Sequence, residues 1–99
     1  MFKTLLVKAA TAATDKTTTV HNCGQDGPIV AHISGVSKLI ATGKSGCFEG
    51  MTASPSGHYK LRIFDASGNK ELASTKFGIP LAGKGRTFFY RGGPGIPDH

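Results

Sequence analysis

Residues 39–46, LIATGKSG, set a glycine, a lysine and a serine after an apolar run, the residue types of a phosphate-holding loop. Such a loop needs a first glycine, four residues and then Gly-Lys-Ser/Thr, so that successive backbone N–H groups curl around the anion. Counting back from Gly43, the first glycine position is held by Lys38, and the nearest glycine is Gly35. The CFEG that follows has no amphipathic pattern to supply a helix N-terminus. The spacing therefore predicts a turn between two strands. GKSGC also departs from the serine elbow G-x-S-x-G, because Cys47 stands in the last position.

His21, Cys23, His32, Cys47 and His58 are the residues able to ligate a metal or supply a nucleophile and its base. No CxxC or HxxxH spacing links them, and HNC places ligand types only two apart. The six acids, Asp15, Asp26, Glu49, Asp65, Glu71 and Asp98, are scattered. No catalytic, cofactor-binding or metal-binding residues are predicted, and the expectation is a protein that is not an enzyme. Cys23 and Cys47 form a candidate disulfide. Closing a loop of that length would add roughly 3 kcal/mol of stability in a chain-entropy account. Two cysteines also occur by chance in reducing compartments, so the bridge and the compartment stay open.

Residues 84–93, KGRTFFYRGG, combine basic residues with three consecutive aromatics. On a strand Phe88 and Tyr90 share a face, with Arg86 two residues before Phe88. Aromatics that stack bases beside arginines that meet phosphate are how sheet surfaces hold single-stranded nucleic acid. The RNA-recognition consensus is not met, since Arg86 and Arg91 occupy two of its aromatic positions. Exposed Phe, Tyr and Arg are also favoured at protein contacts. The expected contact strip is Lys84, Arg86, Phe88, Tyr90 and Arg91. The competing assignment is a core strand that buries Phe89 and marks its exposed ends with basic residues.

The elements that must carry these residues read as β. KTTTVHN (16–22) is rich in β-branched residues. IVAHIS (29–34), VSKLIAT (36–42) and CFEGMTA (47–53) follow as short strands, with GQDGP, Gly35, GKSG and SPSG as turns between them. Tyr59, Leu61 and Ile63 alternate with Lys60, Arg62 and Phe64, the period of a half-buried strand. DASGN turns the chain, and KELASTKFGI returns antiparallel, with a single helical turn as the alternative. RTFFYR closes the series. Seven or eight short strands at this spacing predict an all-β domain, a small antiparallel sandwich or barrel. One domain over residues 1–91 and a Gly/Pro tail over 92–99 are expected. Residues 1–14 read as a first strand, KTLLVKA, or as a weakly amphipathic helix. They are basic, hydroxyl-rich and acid-free until Asp15, as organellar presequences are, but lack arginine. No run reaches the ~18 apolar residues of a membrane span.

Composition bounds the function. Leu, Ile, Val and Phe supply 22 of 99 residues, while glycine alone supplies 14. A chain of this size buries only roughly 60–65% of its unfolded surface, so a partner would add stability. The formal charge is +6 and the pI about 9.6, which favours anionic partners, although the bases are spread along the chain.

SGHYKLRIFDASGNKEL resembles the strand–turn–strand of immunoglobulin-like and fibronectin-like sandwiches, in which glycine, one residue and tyrosine lead an alternating strand to an aspartate turn. The luminal domain of the delta subunit of the translocon-associated protein complex has a stretch similar to residues 31–65. The resemblance implies an Ig-like sandwich. That family adds a C-terminal membrane helix, whereas this sequence runs to GIPDH. Three functions are thus expected, in order. The first is a non-catalytic accessory or structural subunit that binds proteins of a larger complex. The second is a basic nucleic-acid or polyanion binder. The third is a luminal or secreted Ig-like domain of translocon-associated type.

Overall fold

The computed structural model describes residues 16–83, 85–93 and 96. The strand, helix or presequence expected at residues 1–14 lies outside them, as does Lys84. Seven strands make up the described chain: β1 (Lys16–Asn22), β2 (Ile29–Ile33), β3 (Val36–Ile40), β4 (Ser45–Met51), β5 (Ser54–Asp65), β6 (Glu71–Ile79) and β7 (Gly85–Tyr90). They form a three-stranded sheet in the order β4-β1-β7 and a four-stranded sheet in the order β3-β2-β5-β6. Every pairing is antiparallel except β1 with β7. The all-β sandwich is as the strand pattern predicts. Its connectivity is more specific than the Ig-like expectation. An immunoglobulin constant domain sets its first, second, fifth and fourth strands in one sheet; here the second and fifth strands pair, but the first and fourth sit together in the other sheet.

Alternation drives the layering. In β2, Ile29, Ala31 and Ile33 are buried while Val30 and His32 are half-exposed. Their antiparallel partners on β5 are Asp65, Ile63 and Leu61, so apolar residues from neighbouring strands meet on one face. From the opposite sheet, Val20, Phe48, Phe88 and Tyr90 close on this surface. Phe77 of β6 and Phe88 of β7 meet edge to face, with centroids 4.9 Å apart, and so link the two layers. Ile96, in the segment expected to be a tail, is also buried with this cluster.

One of the expected turns was resolved differently by the backbone. SPSG, expected to be a turn, lies inside β5. Between Ser54 and Tyr59 β5 advances five residues, while its partner β6 goes back only two, from Ile79 to Phe77. The surplus forms a bulge, with Gly57 taking the positive φ of 81°. KELASTKFGI forms β6, not a helical turn, because Ala73, Phe77 and Ile79 are needed on the core face.

β1 turns polar residues inward: Lys16, Thr18 and Asn22 are all buried. Lys16 donates from Nζ to the carbonyls of Leu81 at 2.8 Å and Gly83 at 2.5 Å, which ties down the β6–β7 connection. Asn22 donates to Gly27 and Ile40 carbonyls at 2.9 and 3.0 Å and accepts from the Gly24 amide. It therefore clasps the loops at the other end of the strand. These bonds replace the water that Lys16 and Asn22 lose on burial, whereas Thr18 Oγ1 is buried without a hydrogen-bond partner among the described residues.

Candidate interaction surfaces

The expected contact strip does not lie on the surface. Phe88 and Tyr90 are 2% and 1% exposed and belong to the core. The reason is register. β7 runs parallel to β1, with Phe88 beside Val20 and Tyr90 beside Asn22, and those β1 residues face inward. Arg86 is on the same side. It donates from Nη1 to the Gly78 carbonyl at 2.9 Å and its guanidinium lies 5.6 Å from the Phe88 ring centre. Arg91 alone of the described strip residues is exposed. The competing assignment was right that β7 is a core strand and wrong about which aromatics it buries: Phe89 is half-exposed.

Tyr90 closes one end of the sandwich, where its hydroxyl donates to Asp26 Oδ2 at 2.5 Å. Burial, then the hydrogen bond and the charge of Asp26, push its pKa from 10.0 up to about 12. The folded state therefore holds this proton more tightly than the unfolded chain does. Stability is unaffected below pH 10 and falls as pH rises from about 10 to about 12. The shift corresponds to a loss on the order of 2–3 kcal/mol. Alkaline denaturation followed by circular dichroism should show this step, and Tyr90→Phe should abolish it. A step of the same size in Tyr90→Phe would assign it to other groups.

Outward from the same strands, the three-stranded sheet presents a row of four side chains. Ser45, His21 and Phe89 are register neighbours on β4, β1 and β7. The Ser45 hydroxyl bonds His21 Nδ1. The imidazole stacks on Phe89, with centroids 4.9 Å apart and planes 12° from parallel. The Arg91 guanidinium lies 5.5 Å from the centre of the Phe89 ring. The next row is Cys47, Thr19 and Thr87, with Thr19 Oγ1 3.8 Å from Cys47 Sγ. A serine–histidine contact begins a nucleophilic triad only where an acid orients the ring. Among the described residues no carboxylate bonds His21, and the aromatic stack holds the ring instead.

The disulfide is not formed; Cys23 and Cys47 are both free and exposed. Cys47 lies opposite Thr19, four residues before Cys23 along the chain. At about 3.3 Å per strand residue the two Cα atoms are far beyond the ~7 Å that a disulfide spans. Among the described residues no three of His, Cys, Asp and Glu come together as a ligand set. At residues 39–46, the Gly43 amide donates to the Asn22 carbonyl and the Lys44 amide to the Ala41 carbonyl. The N–H groups of that turn are spent on the fold and not on an anion.

The outer face of the four-stranded sheet has a different character. His58, Lys60, Arg62 and Phe64 succeed one another along β5, with His32 and Val30 beside Arg62 and Phe64 on β2. Leu39, opposite Val30, is 68% exposed. Arg62 lies 4.8 Å from the Phe64 ring centre and donates from Nε to Glu71 Oε1 at 2.9 Å. That bond, with the charges of Arg62 and Lys60, holds the Glu71 carboxyl below its usual pKa. In the turn after β5, the Ser67 hydroxyl and backbone amides do the same for Asp65. Sequence alternation already pointed Lys60, Arg62 and Phe64 to one side; it carried no signal for the strands that join them.

No family model, curated protein or solved structure matches this chain. Among the described residues no helix is long and apolar enough to cross a membrane.

Proposed function

We propose that this domain is a non-catalytic subunit of a larger assembly, docked through the outer face of its three-stranded sheet. The observation that carries the reading is the Arg91–Phe89–His21 stack on an open strand surface. Aromatic and arginine side chains held in place before binding lose little conformational freedom when a partner covers them, and they dominate measured contact energies. Thr19, Thr87 and Ser45 surround the stack with hydroxyls suited to a polar rim. A thin core and a surface that gains from burial support the same reading.

Native mass spectrometry of the endogenous protein, at low and moderate salt, tests it. A complex heavier than 10.3 kDa should survive both conditions. Phe89→Ala or Arg91→Ala should weaken it by about tenfold or more, the loss expected at a contact centre, with the β circular dichroism unchanged. A free 10.3 kDa species at both salts would overturn the reading.

A further inference from the structure

Cross-strand neighbours of like charge destabilise a sheet, yet Lys60 of β5 lies directly opposite Lys76 of β6. Both residues are exposed, and neither ammonium forms an ion pair among the described residues. Glu71, the acid on this face, is held by Arg62. Asp65 is engaged in its turn by Ser67 and the backbone of Asn69 and Lys70. The result is a cationic patch of three charges, Lys60, Arg62 and Lys76, offset on its own face among the described residues by Glu71 alone.

The patch is also a track. Alternate residues along a regular strand are about 6.6 Å apart, so Lys60, Arg62 and Phe64 form an evenly spaced line down the middle of the sheet, with His58 beyond Lys60 beside the bulge. Lys76 flanks the line on β6, and His32 on β2. His32 and His58 keep their rings placed through Ser37 and Ser56, each at 2.9 Å. At one end the guanidinium of Arg62 lies over Phe64, making a planar platform beside half-exposed Val30 and exposed Leu39. Regular positive charge along an extended path, ending in a stacking surface, matches a chain of phosphates carrying planar bases.

We propose that the outer face of the four-stranded sheet binds single-stranded nucleic acid, with its phosphates along Lys60, Lys76 and Arg62 and a base on the Arg62–Phe64 platform. An acidic polypeptide would satisfy the lysines but would have no use for the platform. This face lies across the sandwich from the stack of His21, Phe89 and Arg91, so either surface can fail without the other.

The test is fluorescence anisotropy of the full chain with labelled oligothymidylate and oligouridylate, between about 50 and 200 mM salt. Three phosphate contacts predict a slope of log affinity against log salt of about −2 for a single strand. Lys60→Gln with Lys76→Gln should lower affinity about tenfold at the low-salt end and flatten the slope to about −0.7. Phe64→Leu should cost about fivefold or more through lost stacking, with the slope unchanged. Glu71→Gln releases Arg62 and should tighten binding by about twofold or more. Circular dichroism of each variant confirms that it is folded. Absence of binding at about 50 mM salt, or affinity unmoved by the lysine pair, overturns the proposal. So does poly-glutamate that competes as well as the oligonucleotide while Phe64→Leu has no effect, since the site would then be an acidic-polymer surface.

Discussion

Phe88→Ala is expected to remove most of the domain's stability. The ring is 2% exposed, meets Phe77 edge to face at 4.9 Å and has the Arg86 guanidinium 5.6 Å from its centre. Truncating a buried phenylalanine costs about 3–5 kcal/mol, from lost transfer energy and from the cavity left behind. Small domains have about 5–15 kcal/mol in total, and one with this few large apolar residues belongs near the lower end. For a chain of this length each kcal/mol moves the melting temperature by about 4–8 °C, so the fall should exceed about 12 °C. Phe89→Ala is the paired control. Its ring is on the outer face, and its removal should shift melting by no more than a few degrees. Thermal denaturation of the two variants under one set of conditions decides the matter. A larger loss for Phe89 than for Phe88 would mean that β7 presents the opposite face to the core.

That comparison also shows what the sequence could reveal. β1, β2, β3 and β7 each appear as local patterns, because β-branched or alternating residues between glycine turns leave little choice of conformation. The face of β7 does not. In RTFFYR the aromatics at 88, 89 and 90 are consecutive, so apolar character falls on both sides and alternation gives no direction. Only the parallel register with β1 settles it, by placing Phe88 beside Val20 and Tyr90 beside buried Asn22. Inward Asn22 and Lys16 have no signature either, since their burial depends on carbonyls supplied by loops distant in sequence. SPSG failed for a related reason. Proline and glycine mark a departure from regular strand geometry, and a bulge is such a departure just as a turn is.

The same dependence on register explains the two outer faces. The basic alternation along β5 was visible, but Lys76 joins it only because the register steps by one residue between Phe64, set against Glu71, and Ile63, set against Ala73. Without that step Thr75 would face Lys60, and the lysine pair would not exist. On the other sheet, His21, Ser45 and Phe89 come from three strands far apart in sequence. No local motif could assemble them. Each face is thus a product of pairing, and a substitution that disturbs pairing should disturb the face of the sheet in which it lies.

Gly85→Ala is the sharpest case. Gly85 opens β7 and pairs with Thr17 of β1, with φ at +134°. A Cβ built there would lie 1.7 Å from the Thr17 carbonyl oxygen, 2.7 Å from its carbonyl carbon and 2.9 Å from its nitrogen. All three are backbone atoms of a central strand, so no side chain can swing aside. The conformation itself is costly for an L residue, by about 1–3 kcal/mol. Added to the overlap, this should force β7 away from β1 and carry Phe88 and Tyr90 out of the core. Gly43→Ala gives the baseline: φ there is +78° and nothing lies within 4 Å of the added carbon, so only the conformational strain applies. The expected result is a modest melting shift for Gly43→Ala. For Gly85→Ala a loss of cooperative unfolding is expected, with amide exchange in β1 and β7 accelerated together. Equal shifts for the two variants would mean that β7 does not approach β1 through Gly85, and the outer face of the three-stranded sheet would then have to be redrawn.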